Sequence, residues 1–365
     1  MSKIDSGHQA EPRTGQVAQA SAEPKAAIVV LNWNGWRDTV DALESLYGIT
    51  YTNYDVVLVD NGSRDDSIAR LREWADGELP ACSPFISQAV QKPVRLKEYS
   101  DREVETIGRA AEDCIFRGLP SNRKLWLIRN QSNYGFAEGC NVGMRFALNA
   151  LEPEYILLLN NDVAVDPNFL RALIEPARSD ERIGIAGPRI YHYYEPSKLT
   201  CVGFKIILWK GRTTPYPIPH EGEASEIRDV DSVSGSCLLI SRSAIQKIGL
   251  LDKEYFAYWE ETDWCLKAKK AGYRIVHVPT ARIWHKGEAS TKSQTGFVLF
   301  YMTRNRVLFV RKNASTLQKL AFMHLFLIDF VLSYCWARLR EKDAIKASRI
   351  ARIYWETLLW HIRRT

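Results

Sequence analysis

Apolar runs without polar alternation recur through the first half of the chain. AAIVVLN (26–32), YDVVLVDNGS (54–63), KLWLIRN (124–130) and YILLLNND (155–162) read as strands buried on both faces. Between them, residues 38–47, DDSIARLREW (65–74) and residues 136–149 follow helical periodicity. Strands of this kind alternating with helices predict a parallel sheet and an α/β fold. Residues 76–123 break the rhythm with Pro and charge, and read as an insertion holding one strand at VRLKEY (94–99). After about residue 190 the pattern turns to short strands and long connections, including TTPYPIPH (213–220). VSGSCLLI (233–240), a helix over 260–271 and strands at YRIVHV (273–278) and ARIWH (281–285) follow. From Phe297 onward the chain is helical in composition and rich in aromatics, and residues 1–25 read as a flexible polar tail. No internal repeat is visible.

Composition adds limits to that picture. With 365 residues, 46% hydrophobic and 25% charged, the chain has material for one large domain or two ordinary ones. The net charge is only +6, and +5 of it falls within residues 338–365. Charge so localised argues against a nucleic-acid binder and for contact of a basic tail with an anionic partner such as a lipid headgroup. Seven scattered cysteines without a C-x-x-C pair read as reduced thiols in the cytoplasm. The polar N-terminus lacks an apolar signal core, so the sequons at Asn61, Asn130 and Asn313 are expected to be silent.

Candidate chemistry gathers where strands end. In open parallel sheets, ligands bind beyond the carboxyl ends of the strands, and three strands here finish in LNWNG, VDNGS and LNND. Asp60, Asn61, Asn161 and Asp162 are therefore expected to face one crevice, although such residues also serve as simple turn formers. Neither G-x-G-x-x-G nor a P-loop is present. A lone carboxylate with amide neighbours suits Mg²⁺ or Mn²⁺ shared with substrate phosphates, which makes Asp162 a metal candidate. NYGFAEGCNVG (133–143) places Gly135, Gly139 and Gly143 at a helix start, where they serve either phosphate binding or close packing. Glu260, Glu261 and Asp263 crowd the first turn of another helix. They either complement its dipole or supply a general base, with Tyr258, Trp259 and Trp264 as a stacking platform for sugar. His285 is open to a structural role or to a metal or phosphate.

Taken in order, VVLNWNG, VDNGSRDDS, NYGFAEGCNVG, LLLNNDV, VSGSCLLI and FAYWEETDWCLKAKKAGY resemble the family 2 glycosyltransferases, in particular their rhamnosyltransferase-like branch. The resemblance covers residues 26 to about 290. It implies a GT-A fold, a nucleotide-diphosphate-sugar donor (dTDP- or UDP-linked), Mg²⁺ or Mn²⁺, and inversion at the anomeric carbon. Carried over by position, Asp60 matches the aspartate on the donor base, with Asn32, Asn61, Gly135 and Asn161 in the donor site. Asn160, Asn161 and Asp162 stand in place of an Asp-x-Asp motif, so Asp162 becomes the principal metal contact, with His285 a second. Glu261 takes the place of the catalytic base, with Asp263 in reserve. The expected organisation is a tail (1–25), a GT-A domain (26–290) and a basic helical extension (291–365).

Within the extension, residues 320–336 (LAFMHLFLIDFVLSYCW) are too short and too interrupted for a spanning helix. Packing on the domain, a place in the membrane interface and a homodimer contact all stay open. A glycan or lipid-linked acceptor and a cytoplasmic site at the inner face of the membrane fit this reading. Its rivals are a sugar nucleotidyltransferase, which normally carries a Gly-rich basic loop after the first strand, and a glycan-binding relative without chemistry.

Overall fold

A computed structural model describes residues 22–81, 83–86, 90–107, 114–218, 226–287, 295–340 and 342–363. Most of the expected tail, parts of the 76–123 segment and the first residues of the extension lie outside the described residues.

The first strand, β1 (Ala26–Asn32), is followed by helix α1 (Trp36–Tyr47), β2 (Tyr54–Asp60) and α2 (Ser67–Asp76). Next come β3 (Arg95–Ser100), the short helices α3 (Asp101–Thr106) and α4 (Cys114–Gly118), and β4 (Lys124–Arg129). Helix α5 (Gly135–Phe146) leads into β5 (Tyr155–Asn160), β6 (Val163–Val165) and α6 (Phe169–Ser179). The later strands are β7 (Ile183–His192), β8 (Glu195–Cys201), β9 (Phe204–Ile207), β10 (Arg212–Pro215), β11 (Arg228–Asp229) and β12 (Cys237–Ser241). Helices α7 (Arg242–Ile248) and α8 (Glu260–Lys270) precede the long β13 (Arg274–His285). The chain ends in α9 (Thr295–Asn313), α10 (Thr316–Cys335) and α11 (Ala344–Ile362).

The main sheet runs β11-β13-β7-β12-β5-β1-β2-β4-β3. Its β5-β1-β2-β4-β3 half is parallel, in register Ile28↔Val56 and Ile28↔Leu157, while β12 enters antiparallel between β5 and β7. Alternation along β1 explains its unbroken apolar sequence. Ile28 and Val30 feed one core with α1, α2 and α6, whereas Ala27 and Val29 feed the other with α5, α7 and α8. Each fully buried Val, Leu or Ile is worth about 1.5–3 kcal/mol, so both faces hold the strand in place.

The strand expected at 94–99 is present as β3, which pairs with β4 in parallel (Arg95↔Lys124) and forms the sheet edge. Its charged sequence suits that position, and Arg72 clamps Glu98 with two hydrogen bonds of 2.7 Å. One expectation changes in detail: YRIVHV and ARIWH are one strand, continuous through an irregularity between Val278 and Arg282.

The C-terminal helices pack on the same body. Leu308, Phe309, Phe322 and Phe326 form a third core with Tyr255 and Trp259. The apolar helix is longer than residues 320–336. Including a π-turn it runs Thr316–Arg340, 25 residues whose most apolar 18-residue stretch has a mean hydropathy of 1.7, long and apolar enough to cross a membrane by length and composition.

Candidate active site

Strand β1 lies between β5 and β2; the chain moves from β1 to β2 on one side and later crosses back from β4 to β5 on the other, a reversal that opens a crevice at the carboxyl ends of these strands. Two cavities occupy it. One, of 340 Å³, is lined by Asn160, Asn161, Asp162, Glu260, Glu261 and His285, with aromatic walls from Trp33, Phe136, Phe256, Tyr258 and Phe297. The other, of 470 Å³, lies over Asp60, Ser63, Arg64 and Arg129. Trp33 and Asn133 border both.

Register explains the pairing of Asp162 with His285. Strand β6 begins right after Asp162 and runs antiparallel to the end of β13, setting Val163 opposite His285. The His285 Nε2 then lies 3.1 Å from Asp162 Oδ1. Lys286 locks this strand end by donating its N–H to the Asp162 carbonyl (3.0 Å) and its ammonium to Asp38 (2.7 Å) and Asp41 (2.9 Å). Burial opposes the Lys286 charge, but those two carboxylates outweigh it and hold its pKa above the ordinary lysine range. Among the described residues no group of three or more His, Cys, Asp or Glu could enclose a metal. A carboxylate and an imidazole facing a cavity fit a divalent ion that takes its other ligands from phosphate and water.

Asp60 is buried at the end of β2 yet borders the second cavity. Asn32 Nδ2 donates to one of its oxygens (2.8 Å) and the Ser63 N–H to the other (3.1 Å). A carboxylate has about four acceptor positions, so capacity remains for a ligand N–H. A polar chain continues backward, because Thr39 Oγ1 donates to Asn32 Oδ1 (2.8 Å) and Asn161 Nδ2 donates to Thr39 Oγ1 (3.0 Å). The ends of β1, β2 and β5 are thereby tied together.

Glu260 and Glu261 open α8, and both reach the first cavity. They are brought there by an unusual loop: Phe256, Tyr258 and Trp259 have φ of 64°, 70° and 76°, left-handed values that cost non-glycine residues about 1–3 kcal/mol each. Helix α9 compensates. Asn305, fully buried, donates its amide to the carbonyls of Tyr255, Ala257 and Tyr258 at 2.7–2.8 Å. Arg304 reaches those of Glu254 and Tyr255, both at 2.7 Å. Burial, and then the adjacent Glu261 charge, push the Glu260 carboxyl well above its usual range, and among the described residues its Oε2 has no hydrogen-bond partner. Burial also raises Glu261, partly offset by nearby N–H groups and by the Thr262 hydroxyl 3.3 Å from Oε1.

Several expected site residues have other work. Asn32 does not reach either cavity; it orients Asp60. Asn61 borders the first cavity, but its Nδ2 donates to Asn133 and the Gly135 carbonyl (both 3.0 Å), while its Oδ1 accepts from Asn130 and the Tyr134 N–H. Its side chain is saturated by the loop it holds. Gly135 gives its N–H to Asn133 (2.8 Å) and, at φ 83°, sits where a Cβ would lie 2.5 Å from the Phe256 carbonyl. It lines the first cavity as expected and is also closely packed, as are Gly139 against Leu31 and Gly143 against Val29. Asp263 points away from the cavity to Lys267 (2.8 Å) and Asn313 (2.7 Å). Trp259 packs on Phe309, and buried Trp264 donates to the Gly249 carbonyl, so neither forms a sugar platform.

The sequence reading missed Trp33, Phe297, the Ser234–Gly235–Ser236 turn and the supporting pair Arg304–Asn305. A signal for the pair existed: a run of four polar residues, Thr303 to Arg306, inside the apolar helix FVLFYMTRNRVLFV implies buried partners.

Residues 98–305 match the family described as "Glycosyltransferase like family 2". The low-salt glycan biosynthesis hexosyltransferase Agl10 of Haloferax volcanii is 26% identical over 189 residues, covering 52% of this chain and 61% of that protein. The N-acetylglucosaminyl-diphospho-decaprenol L-rhamnosyltransferase of Mycobacterium tuberculosis is 31% identical over 226 residues, covering 56% of this chain and 71% of that protein. The crystal structure of GalNAc-T7 with UDP, GalNAc and Mn²⁺ superimposes with a TM-score of 0.55 at 15% identity, over 92% of this chain and 54% of the other.

Proposed function

The chain belongs to the family 2 glycosyltransferases and has their GT-A fold, and on that premise we propose that it is an inverting, metal-dependent hexosyltransferase. It takes rhamnose or another hexose from a dTDP- or UDP-sugar and passes it to a glycan or lipid-linked acceptor in cell-surface polysaccharide synthesis. The observation that carries this reading is the first cavity, where the Asp162–His285 pair and Glu261 share one space of 340 Å³.

Asp60 receives the donor base in the second cavity, where its remaining acceptor positions suit the imide N–H common to uracil and thymine. Trp33 and Asn133, on the border of both cavities, mark the passage from base to sugar. Asp162 and His285 would hold Mg²⁺ or Mn²⁺, which when bound neutralises charge on the departing diphosphate. Glu261 removes the proton of the acceptor hydroxyl as that oxygen attacks C1 from the face opposite the leaving group. Burial raises the Glu261 pKa, which makes the carboxylate a stronger base once ionised. Burial favours the protonated form of Glu260 beside it, which lessens charge repulsion between the two carboxyls. The aromatic wall of Phe256, Tyr258 and Phe297 offers faces for the sugar ring. A cytoplasmic site at the inner membrane face agrees with the mycobacterial relative, whose named acceptor is a diphospho-decaprenol.

Incubation with a panel of nucleotide sugars and Mn²⁺ tests the reading. Release of nucleoside diphosphate is expected. Pyrophosphate in the forward direction would instead identify a sugar nucleotidyltransferase, and no turnover across the panel would leave a glycan-binding protein.

A further inference from the structure

Helix α10 is apolar on two opposite faces. Its inner face is seated: Phe322 and Phe326 are buried in the third core, and a Cβ on Gly211 would approach Phe322 to 2.6 Å. Asp329 on that side is held by Arg212 (2.9 Å) and Arg306 (2.8 Å), whose guanidinium also donates to the carbonyls of Lys210 and Gly211. The outer face presents Leu317, Leu320, Leu327, Ile328, Val331 and Leu332, between 50% and 79% exposed. Their spacing of three, four and seven places them on one stripe. The polar residue within the stripe, His324, has its ring Nδ1 hydrogen-bonded to the Leu320 carbonyl at 2.8 Å.

Soluble proteins rarely leave a row of this length uncovered. Its surroundings identify the cover. At the C-terminal end of the stripe stand Arg338, Arg340, Lys342, Lys346 and Arg349, all exposed, and beside them the exposed indole of Trp336, which lines one surface depression with Leu332, Lys346 and Arg349. Apolar residues bordered by indole and clustered Lys and Arg match the layering of an anionic bilayer surface: acyl chain, interface, headgroup. We propose that α10 lies flat in the headgroup–acyl boundary of an anionic membrane, outer stripe down, with the basic segment 338–349 on the lipid phosphates. Length and apolarity would let this helix span, but spanning would pull Asp329 from two arginines and Phe322 and Phe326 from their core. The contact is read from the surface alone; its use, bringing the site to a lipid-linked acceptor, rests on the function proposed above.

Co-sedimentation of the full chain with vesicles tests it. Wild type is expected to bind phosphatidylcholine vesicles containing phosphatidylglycerol, to bind pure phosphatidylcholine more weakly, and to be extractable by alkaline carbonate. Ile328→Glu/Val331→Glu, at exposed positions, should weaken binding by about tenfold or more while leaving the melting temperature and turnover with a soluble acceptor unchanged. Arg338→Glu/Arg340→Glu should abolish the preference for phosphatidylglycerol. Equal vesicle binding by the Glu variants and wild type would overturn the proposal. So would a wild-type dimer that binds no vesicles and dissociates on Ile328→Glu/Val331→Glu, since the stripe would then cover a second copy. Resistance to carbonate would show a spanning helix and overturn it too. Vesicle binding without transfer would sink the proposed function alone, and transfer without vesicle binding would sink the docking alone.

Discussion

Glu260 and Glu261 stand side by side in sequence and face one cavity, and their shared burial sets what each can do. For Glu260 the folded carboxyl titrates well above its ordinary 4.5, so above that pH the folded state holds a proton that the unfolded state has released. Stability contributed by this group is therefore lost as pH rises from 4.5 toward the folded value. Glu260→Gln removes that loss, and should raise the melting temperature at neutral pH with a gain that vanishes near pH 4; an equal gain at both pH values would contradict the assignment. Asp162 carries a different test. Asp162→Ala should weaken Mn²⁺-dependent donor binding by about 10–100-fold in calorimetry, and an unchanged metal titration would remove Asp162 from the metal site. Of the acids at the head of α8, the sequence shows the cluster but not which face of the helix meets the cavity. Glu261 and Asp263 are two positions apart, about 200° around a helix, and docking of α8 turns Asp263 toward Lys267 and Asn313. Asn61 illustrates the same limit, since an amide at a strand end looks like a ligand until its four hydrogen bonds are known.

At the scale of elements, β1, β2, β4 and β5 could be read closely because burial on both faces leaves no polar alternation to confuse. The crevice followed from them. Harder to read was the link between α9 and the 255–259 loop, because its partners lie about 50 residues apart and nothing local marks their contact. That link does the positioning: three left-handed aromatic-loop residues stay in place because Asn305 and Arg304 hold their neighbours' carbonyls. Asn305→Ala should cost about 2–4 kcal/mol of stability in urea denaturation, from orphaned buried carbonyls and released strain. It should also lower kcat at temperatures where the variant stays folded, because the loop carries Glu260 and Glu261 into the cavity. A variant with wild-type stability and rate would show that the loop holds its shape without α9.

For the molecule as a whole, sequence and structure divide charge from chemistry in the same way. The net excess of +6 sits mainly after residue 337, on helices away from the catalytic cavity, while that cavity is lined by acids, amides and aromatic rings. The basic helical region is nonetheless joined to the site, since α9 supplies both Phe297 in the cavity wall and the Arg304–Asn305 support. What the sequence leaves unread at this scale is the outer stripe of α10, because apolar residues on a helix declare burial without declaring in what. The central claim remains the pairing of a diphosphate-holding site with one proton acceptor across the first cavity. It is tested most directly by rates of nucleoside diphosphate release with Mn²⁺, acceptor and the preferred donor, in wild type and Glu261→Gln, with donor affinity measured alongside. The account predicts a fall of about 10²–10⁴-fold in turnover with donor affinity nearly intact. Most of the wild-type rate surviving in Glu261→Gln would contradict it.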